Sequence, residues 1–136
     1  MAALGLGLHH VSLAVTDIDQ SRQFYQQLFG LDLLVRPPFD SVGVWFAVGP
    51  LQLHLIEYQA GSFRRDASIS TLDGHFAFNT PDFEGFIAHA TALGFREDAA
   101  DGNPRRLLMR REGPAGFPQV YLLDPDNNII EVNGAP

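Results

Sequence analysis

The sequence predicts an α+β fold in which one βαβββ module is used twice, and three observations lead there. The first is an internal repeat at an offset of 65 residues, which sets His10-Val-Ser-Leu-Ala-Val-Thr-Asp17 against His75-Phe-Ala-Phe-Asn-Thr-Pro-Asp82. The second is the order of signals after each copy: an acidic helix start, an amphipathic helix, and a closing glycine, with Gly30 answered by Gly94 after a slip of one residue. The third is a series of short strand-like runs that completes each half. The chain of 136 residues suits a single domain spanning 1–136, with module 1 at about 7–58 and module 2 at about 74–134.

In the first half a strand near Leu8–Val15 precedes a helix from Ile18 to Phe29, for which Asp17 and Gln20 form a capping box. Phe24, Tyr25, Leu28 and Phe29 make its apolar face, and Gly30 ends it because glycine tolerates the left-handed conformation. Strands follow at Leu33–Arg36, Val42–Val48 and Leu51–Glu57, with Gly49-Pro50 as the last turn. The second half repeats the order. A strand at His75–Thr80 leads to a helix whose stripe is Phe83, Phe86, Ile87, Ala90 and Leu93. Strands fit at Phe95–Asp98, Arg105–Arg111, Gln119–Leu123 and Ile129–Asn133, one more than the plan needs, with Phe95–Asp98 the weakest. The largely polar stretch Gln59–Asp73 connects the halves.

Composition narrows the chemistry. With 46% hydrophobic and 18% charged residues the chain can bury a core, and no apolar run approaches the ~20 residues of a membrane-spanning helix. The opening Met1-Ala-Ala-Leu-Gly-Leu-Gly-Leu8 has no basic start and does not read as a signal peptide, so a soluble cytoplasmic protein is expected. A net charge of −7 argues against nucleic acid as a partner. Cysteine is absent, and all nine basic residues are arginine. Thiolate zinc sites, cysteine nucleophiles and Schiff-base lysines are thereby excluded, leaving His, Asp, Glu, Tyr and a metal.

Strand alternation sets where the histidines point. His10 shares a face with Ser12 and Ala14, and His75 with Ala77 and Asn79, each opposite the face that packs under a helix. On the closing strands His54 lies with Gln52 and Ile56, and Glu131 with Ile129 and Asn133. His10 thus answers His75, and His54 answers Glu131. Duplication brings the four toward the centre of a curved sheet, where three imidazoles and a carboxylate suit a borderline divalent cation with positions open for substrate. A lone strand histidine is more often a surface residue, but repeat-related positions with matching faces strengthen the joint case. His9 sits on the wrong face and His89 on a helix flank, so both are expected to be structural.

The segments His10–Asp17, Ser21-Arg-Gln-Phe-Tyr25 with Phe29-Gly30-Leu31, Gly74-His75-Phe-Ala-Phe78 and Asp124-Pro-Asp-Asn-Asn-Ile-Ile-Glu131 together resemble the vicinal oxygen chelate superfamily. That group includes glyoxalase I, extradiol dioxygenases, methylmalonyl-CoA epimerase and fosfomycin- and bleomycin-resistance proteins. The likeness covers roughly His9 to Val132 and does not choose among members. It implies a cup-shaped mixed sheet with flanking helices, and a divalent metal (Zn, Ni, Mn, Co or Fe(II)) held by His10, His54, His75 and Glu131. It also implies a small substrate bound through two adjacent oxygens, proton exchange by Glu131, and a homodimer. Two departures stand out. Glyoxalase I normally has a glutamate where this chain has His54, and the usual Asp-Pro-Asp-Gly-Asn turn has Asn127 for its glycine, which Asn's tolerance of the left-handed region preserves.

Three functions stay open: a glyoxalase-like lyase or isomerase, an Fe(II) ring-cleaving dioxygenase using His10, His75 and Glu131, and a metal-free binding or resistance protein. Retention of all four side chains argues against the last. Tyr121 is a candidate proton donor, and Trp45, Phe46 and Phe117 are candidate pocket walls, although strand aromatics are more often core. Arg105, Arg106, Arg110 and Arg111 could capture an anion, but a solvated hairpin is preferred because adjacent strand residues face opposite ways. Arg64 and Arg65 fall where a lid could form. Gly113-Pro-Ala-Gly-Phe-Pro118 reads as a rim loop, and Arg36-Pro-Pro-Phe39 as a loop without assignable chemistry.

Overall fold

Two aspartates start the two helices. In the computed structural model, which describes residues 4–136, Asp17 accepts from the Gln20 amide at 3.1 Å and opens α1 (Ile18–Phe29). Asp82 accepts from the Gly85 amide at 3.0 Å and opens α2 (Phe83–Ala92). Each bond satisfies an amide that the helix itself leaves without a partner. Gly30 closes α1 in the left-handed conformation at φ 62°, and its amide donates to the Gln26 carbonyl. A capping partner the sequence did not reveal is Glu57, whose carboxylate accepts from the Ile18 amide at 3.0 Å and places negative charge at the positive end of α1.

The strands are β1 (His10–Val15), β2 (Asp32–Leu34), β3 (Gly43–Val48), β4 (Leu51–Glu57), β5 (His75–Asn79), β6 (Leu108–Arg110), β7 (Gln119–Leu123) and β8 (Ile129–Asn133). They form two four-stranded sheets of the same topology, β1-β4-β3-β2 and β5-β8-β7-β6. In each, the outer pair (β1/β4 or β5/β8) is parallel and the other pairings are antiparallel. The chain divides into two compact units, one up to Ser62 and one from Phe63 onward. Residues 63–73 of the expected connector therefore belong with the second.

The surplus strand expected at Phe95–Asp98 does not form. Arg96 makes only an isolated bridge to Arg106, after Gly94 at φ 99° has turned the chain. Arg105 and Arg106 are taken up in that bridge and its turn, so β6 is shorter than the expected Arg105–Arg111. β2 likewise ends at Leu34 before reaching Arg36, where Pro37 disfavours regular structure on both sides.

Within the first unit Val15, Tyr25, Leu28, Phe46, Leu53 and Leu55 are buried, and α1 lies against β3 and β4. Tyr25 stacks on Phe29 and meets Phe46 at a centroid distance of 6.3 Å. Phe46 is thus core, not a pocket wall as entertained from sequence. In the second unit Val120, Leu122, Ile130 and Val132 line one face of the sheet in register, and Phe83, Ile87, Ala90 and Phe95 are buried with them. The opposite face of this sheet is also buried at Tyr121, Leu123, Ile129 and Glu131, so β7 and β8 carry almost continuous burial.

Candidate metal-binding residues, held as two pairs

Parity and register carry the candidate side chains to the faces expected of them. In the first unit Ser12 lies beside His54 and His10 beside Gln52 across β1/β4, and Trp45 pairs with His54 across β3/β4. His54 is 6% exposed and is held between two rings. The Trp45 indole stacks on one side at 4.0 Å and 3°, and the His10 imidazole on the other at 4.0 Å and 17°. His54 Nε2 lies 2.8 Å from the Gln52 amide oxygen, which accepts, so its proton sits on Nε2 and its lone pair on Nδ1. Burial first, then the neighbouring charges of His10, His9 and Arg36, push the His54 pKa below the usual imidazole range and favour the neutral ring.

The second unit holds the matching pair in direct contact. His75 Nε2 is 3.2 Å from Glu131 Oε1, and its Nδ1 is 2.8 Å from the Asp73 carbonyl. A carbonyl can only accept, so Nδ1 carries a proton, and Nε2 is the ring nitrogen that faces the carboxylate. Two electron-rich atoms facing one another are stable only with a proton or a cation between them. Nδ1 fixed by a carbonyl and Nε2 presented as a donor is the arrangement that orients metal-binding histidines.

Glu131 is buried, which raises its pKa, but hydrogen bonds from Tyr121 and Asn133, the charge of His75 and a bond from Gln119 together bring it below the usual range. Burial, followed by the bond to Glu131, raises the Tyr121 pKa, so the phenol keeps its proton and donates it to the carboxylate. Gln119 Nε2 lies 3.4 Å from Glu131 Oε2 and 3.5 Å from the Tyr121 hydroxyl, at the long limit of a hydrogen bond.

Each unit thus brings together the candidates it contains: His10 with His54, and His75 with Glu131 and Tyr121. Among the described residues no group of three or more His, Asp or Glu side chains is arranged to hold a metal ion. By donor chemistry the four fit a borderline divalent cation, since three imidazole nitrogens and one ionised carboxylate are its preferred ligands.

Other expectations resolve more simply. Arg111 binds Glu84 at 2.7 Å and Glu97 at 2.8 Å, Arg106 binds Asp101, and Arg105 donates to the Leu93 carbonyl. Three members of the arginine cluster therefore brace their own unit through ion pairs and a backbone carbonyl. Arg110 stands opposite Gln119 on the Tyr121 face. Arg64, suspected of lid duty, is a clasp: it donates to the Asn127 carbonyl at 2.8 Å and the Ser68 carbonyl at 2.9 Å, and pairs with Asp73 at 3.2 Å. The clasped segment lays Ala67 and Ile69 against Tyr121, Leu123 and Ile129. Its scattered small and polar residues carried no periodic signal. His9 was also missed: it sits one residue before β1, yet its Nδ1 is 2.9 Å from His10 Nδ1.

Comparisons with known proteins agree with this architecture. The Glyoxalase/Bleomycin resistance protein/Dioxygenase superfamily model matches residues 7–132. A lactoylglutathione lyase of Arabidopsis thaliana is 28% identical over 132 residues, covering 90% of this chain but only 42% of the plant protein's length. Among solved structures, a glyoxalase family protein from Bacillus anthracis superposes with a TM-score of 0.78 at 20% identity, covering 100% of both chains. A variant of the fosfomycin resistance protein FosX from Listeria monocytogenes, complexed with Mn(II) and 1S,2S-dihydroxypropylphosphonic acid, superposes at 0.70 and 18% identity, covering 99% of this chain and 95% of that one. At such identities the structures establish the fold, while the family model, matched over nearly the whole chain, establishes the lineage: the protein belongs to the Glyoxalase/Bleomycin resistance protein/Dioxygenase superfamily.

Proposed function

We propose that the chain is a divalent-metal-dependent enzyme of the glyoxalase type, a lyase or isomerase acting on a small substrate that presents two adjacent oxygens. His10, His54, His75 and Glu131 form its ligand set. The observation that carries the reading is the His75–Glu131 pair, in which the Nδ1 bond to Asp73 leaves Nε2 as the nitrogen that faces the Glu131 carboxylate, 3.2 Å away. The relatives point the same way, since FosX is seen with Mn(II) and a vicinal dihydroxy compound.

A bound divalent cation supplies Lewis acidity that stabilises negative charge developing on substrate oxygen. The chain's own residues do the rest. Glu131, ionised and bonded by Tyr121, is the group able to take up and return a proton. Tyr121, held in its protonated form, donates a hydrogen bond and fixes that carboxylate. Trp45 holds His54 flat and keeps water from one side of it. By the resemblance, His54 stands where glyoxalase I has a proton-moving glutamate, so Glu131 is the carboxylate of the set left to move a proton, with the Tyr121 phenol beside it as proton donor.

The test is metal content of protein purified without chelator or added metal, followed by titration with Zn, Ni, Mn, Co and Fe(II). His75→Ala is expected to weaken retention by more than about 100-fold, beyond the 10–100-fold typical of a partner outside the ligand set, with circular dichroism unchanged. Retention equal to the parent would remove His75 from the ligand set. Absence of any tight metal would leave a binding protein, and oxygen uptake with catechols under Fe(II) alone would identify a dioxygenase.

A further inference from the structure

His10 and His75 occupy repeat-related positions, and in both the Nδ1 atom is engaged by a neighbour along the chain. For His75 that neighbour is the Asp73 carbonyl, which fixes a proton on Nδ1. For His10 it is the Nδ1 atom of His9 at 2.9 Å. Two ring nitrogens at that distance share one hydrogen, so one donates and the other accepts. The rings meet edge to face, with centroids 5.1 Å apart and planes at 88°. The His9 backbone is fixed as well, since its carbonyl accepts from the Gln52 amide at 3.1 Å.

We propose that His9 is a positioning residue for His10: His9 Nδ1 accepts from His10 Nδ1–H and so leaves the His10 lone pair on Nε2. His9 then plays, with a side chain, the part that the Asp73 carbonyl plays in the other half. The inference rests on reading His10 as a metal ligand for its purpose, but not for its geometry. Without the acceptor the His10 proton is free to move to Nε2, where it blocks that nitrogen as a donor.

Two substitutions separate the acceptor from the ring. His9→Phe keeps an aromatic ring and removes the acceptor, whereas His9→Asn places an amide oxygen close to where Nδ1 stood. The metal-free protein, labelled with ¹⁵N in its histidines, is measured by long-range imidazole NMR at about pH 8, above the ordinary imidazole range. The parent and His9→Asn are expected to show His10 protonated on Nδ1, and His9→Phe to show the proton moved toward Nε2. Zn(II) affinity by calorimetry is expected to fall 10–100-fold in His9→Phe and to recover in His9→Asn. An unchanged His10 tautomer in His9→Phe overturns the proposal whatever the affinity does. A tautomer change in protein that binds no metal upholds the positioning role and overturns the metal reading instead.

Discussion

His10 and His75 stand at the heads of matching strands in sheets of identical order, yet their surroundings differ in kind. In the first unit the imidazole is held by other rings: His9 at its edge and His54 stacked on its face, with Trp45 behind. In the second the backbone does the holding, through the Asp73 carbonyl, and the carboxylate of Glu131 takes the place of a ring. The turns differ in the same sense. β3 and β4 are joined by Gly49-Pro50, whereas β7 and β8 are joined by a turn wound around a buried carboxylate. Asp124 accepts from the amides of Asp126 and Asn128 and from the Asn128 side chain, all at 2.8–2.9 Å. A duplicated scaffold can thus preserve strand order while the forces that position equivalent side chains diverge.

Three substitutions test how far the halves are independent. The largest effect belongs to Asp124→Ala, which strips three hydrogen bonds from one buried carboxylate and is expected to cost about 4 kcal/mol in denaturant unfolding. Hydrogen exchange should show the loss of protection confined to β7 and β8; loss spreading to β1–β4 would show that the two units unfold as one. Next is Gly43→Ala in the first unit. A Cβ there would lie 2.5 Å from the Leu55 carbonyl oxygen and 3.0 Å from the Arg36 guanidinium, at an expected cost of about 2 kcal/mol. An unchanged midpoint would mean that β3 and β4 can separate locally.

The smallest effect is that of Arg111→Ala, and it is distinctive in its pH dependence. The Arg111 guanidinium bonds Glu84 and Glu97 and holds both carboxyls below the usual glutamate range, against a weaker opposing effect of burial. Folded values below the unfolded ones mean stability that is present above the usual glutamate range and lost as pH falls through the depressed values. The parent should therefore exceed the variant at neutral pH, with the gap closing in acid. A gap that persists well below that range would assign the effect to packing of the arginine stem.

Much of this was legible in the sequence because it rests on periodicity. Parity put His10, His54, His75 and Glu131 on the faces where they are found, and the caps at Asp17, Gly30 and Asp82 follow from local chemistry. Asn127 takes the left-handed conformation at φ 64° that its place in the turn requires. What parity does not reach are contacts made off the strand. His9 acts from the residue before β1, Arg64 from an irregular segment, and Glu57 from the end of a strand to the start of a helix. The Arg64 and Glu57 contacts depend on where the chain returns in space, and the His9–His10 contact, between sequence neighbours, on side-chain rotamers; a one-dimensional pattern holds no record of either.

The stack of Trp45 on His54 has one more consequence. Trp45 is the only tryptophan in the chain, so all indole emission comes from a ring in face-to-face contact with a candidate ligand of the first unit. The second unit has no such chromophore; beside His75 it offers the Tyr121 phenol, edge-on at 5.8 Å. Indole emission therefore originates in one half of this duplicated protein, an optical asymmetry built into an otherwise repeated plan.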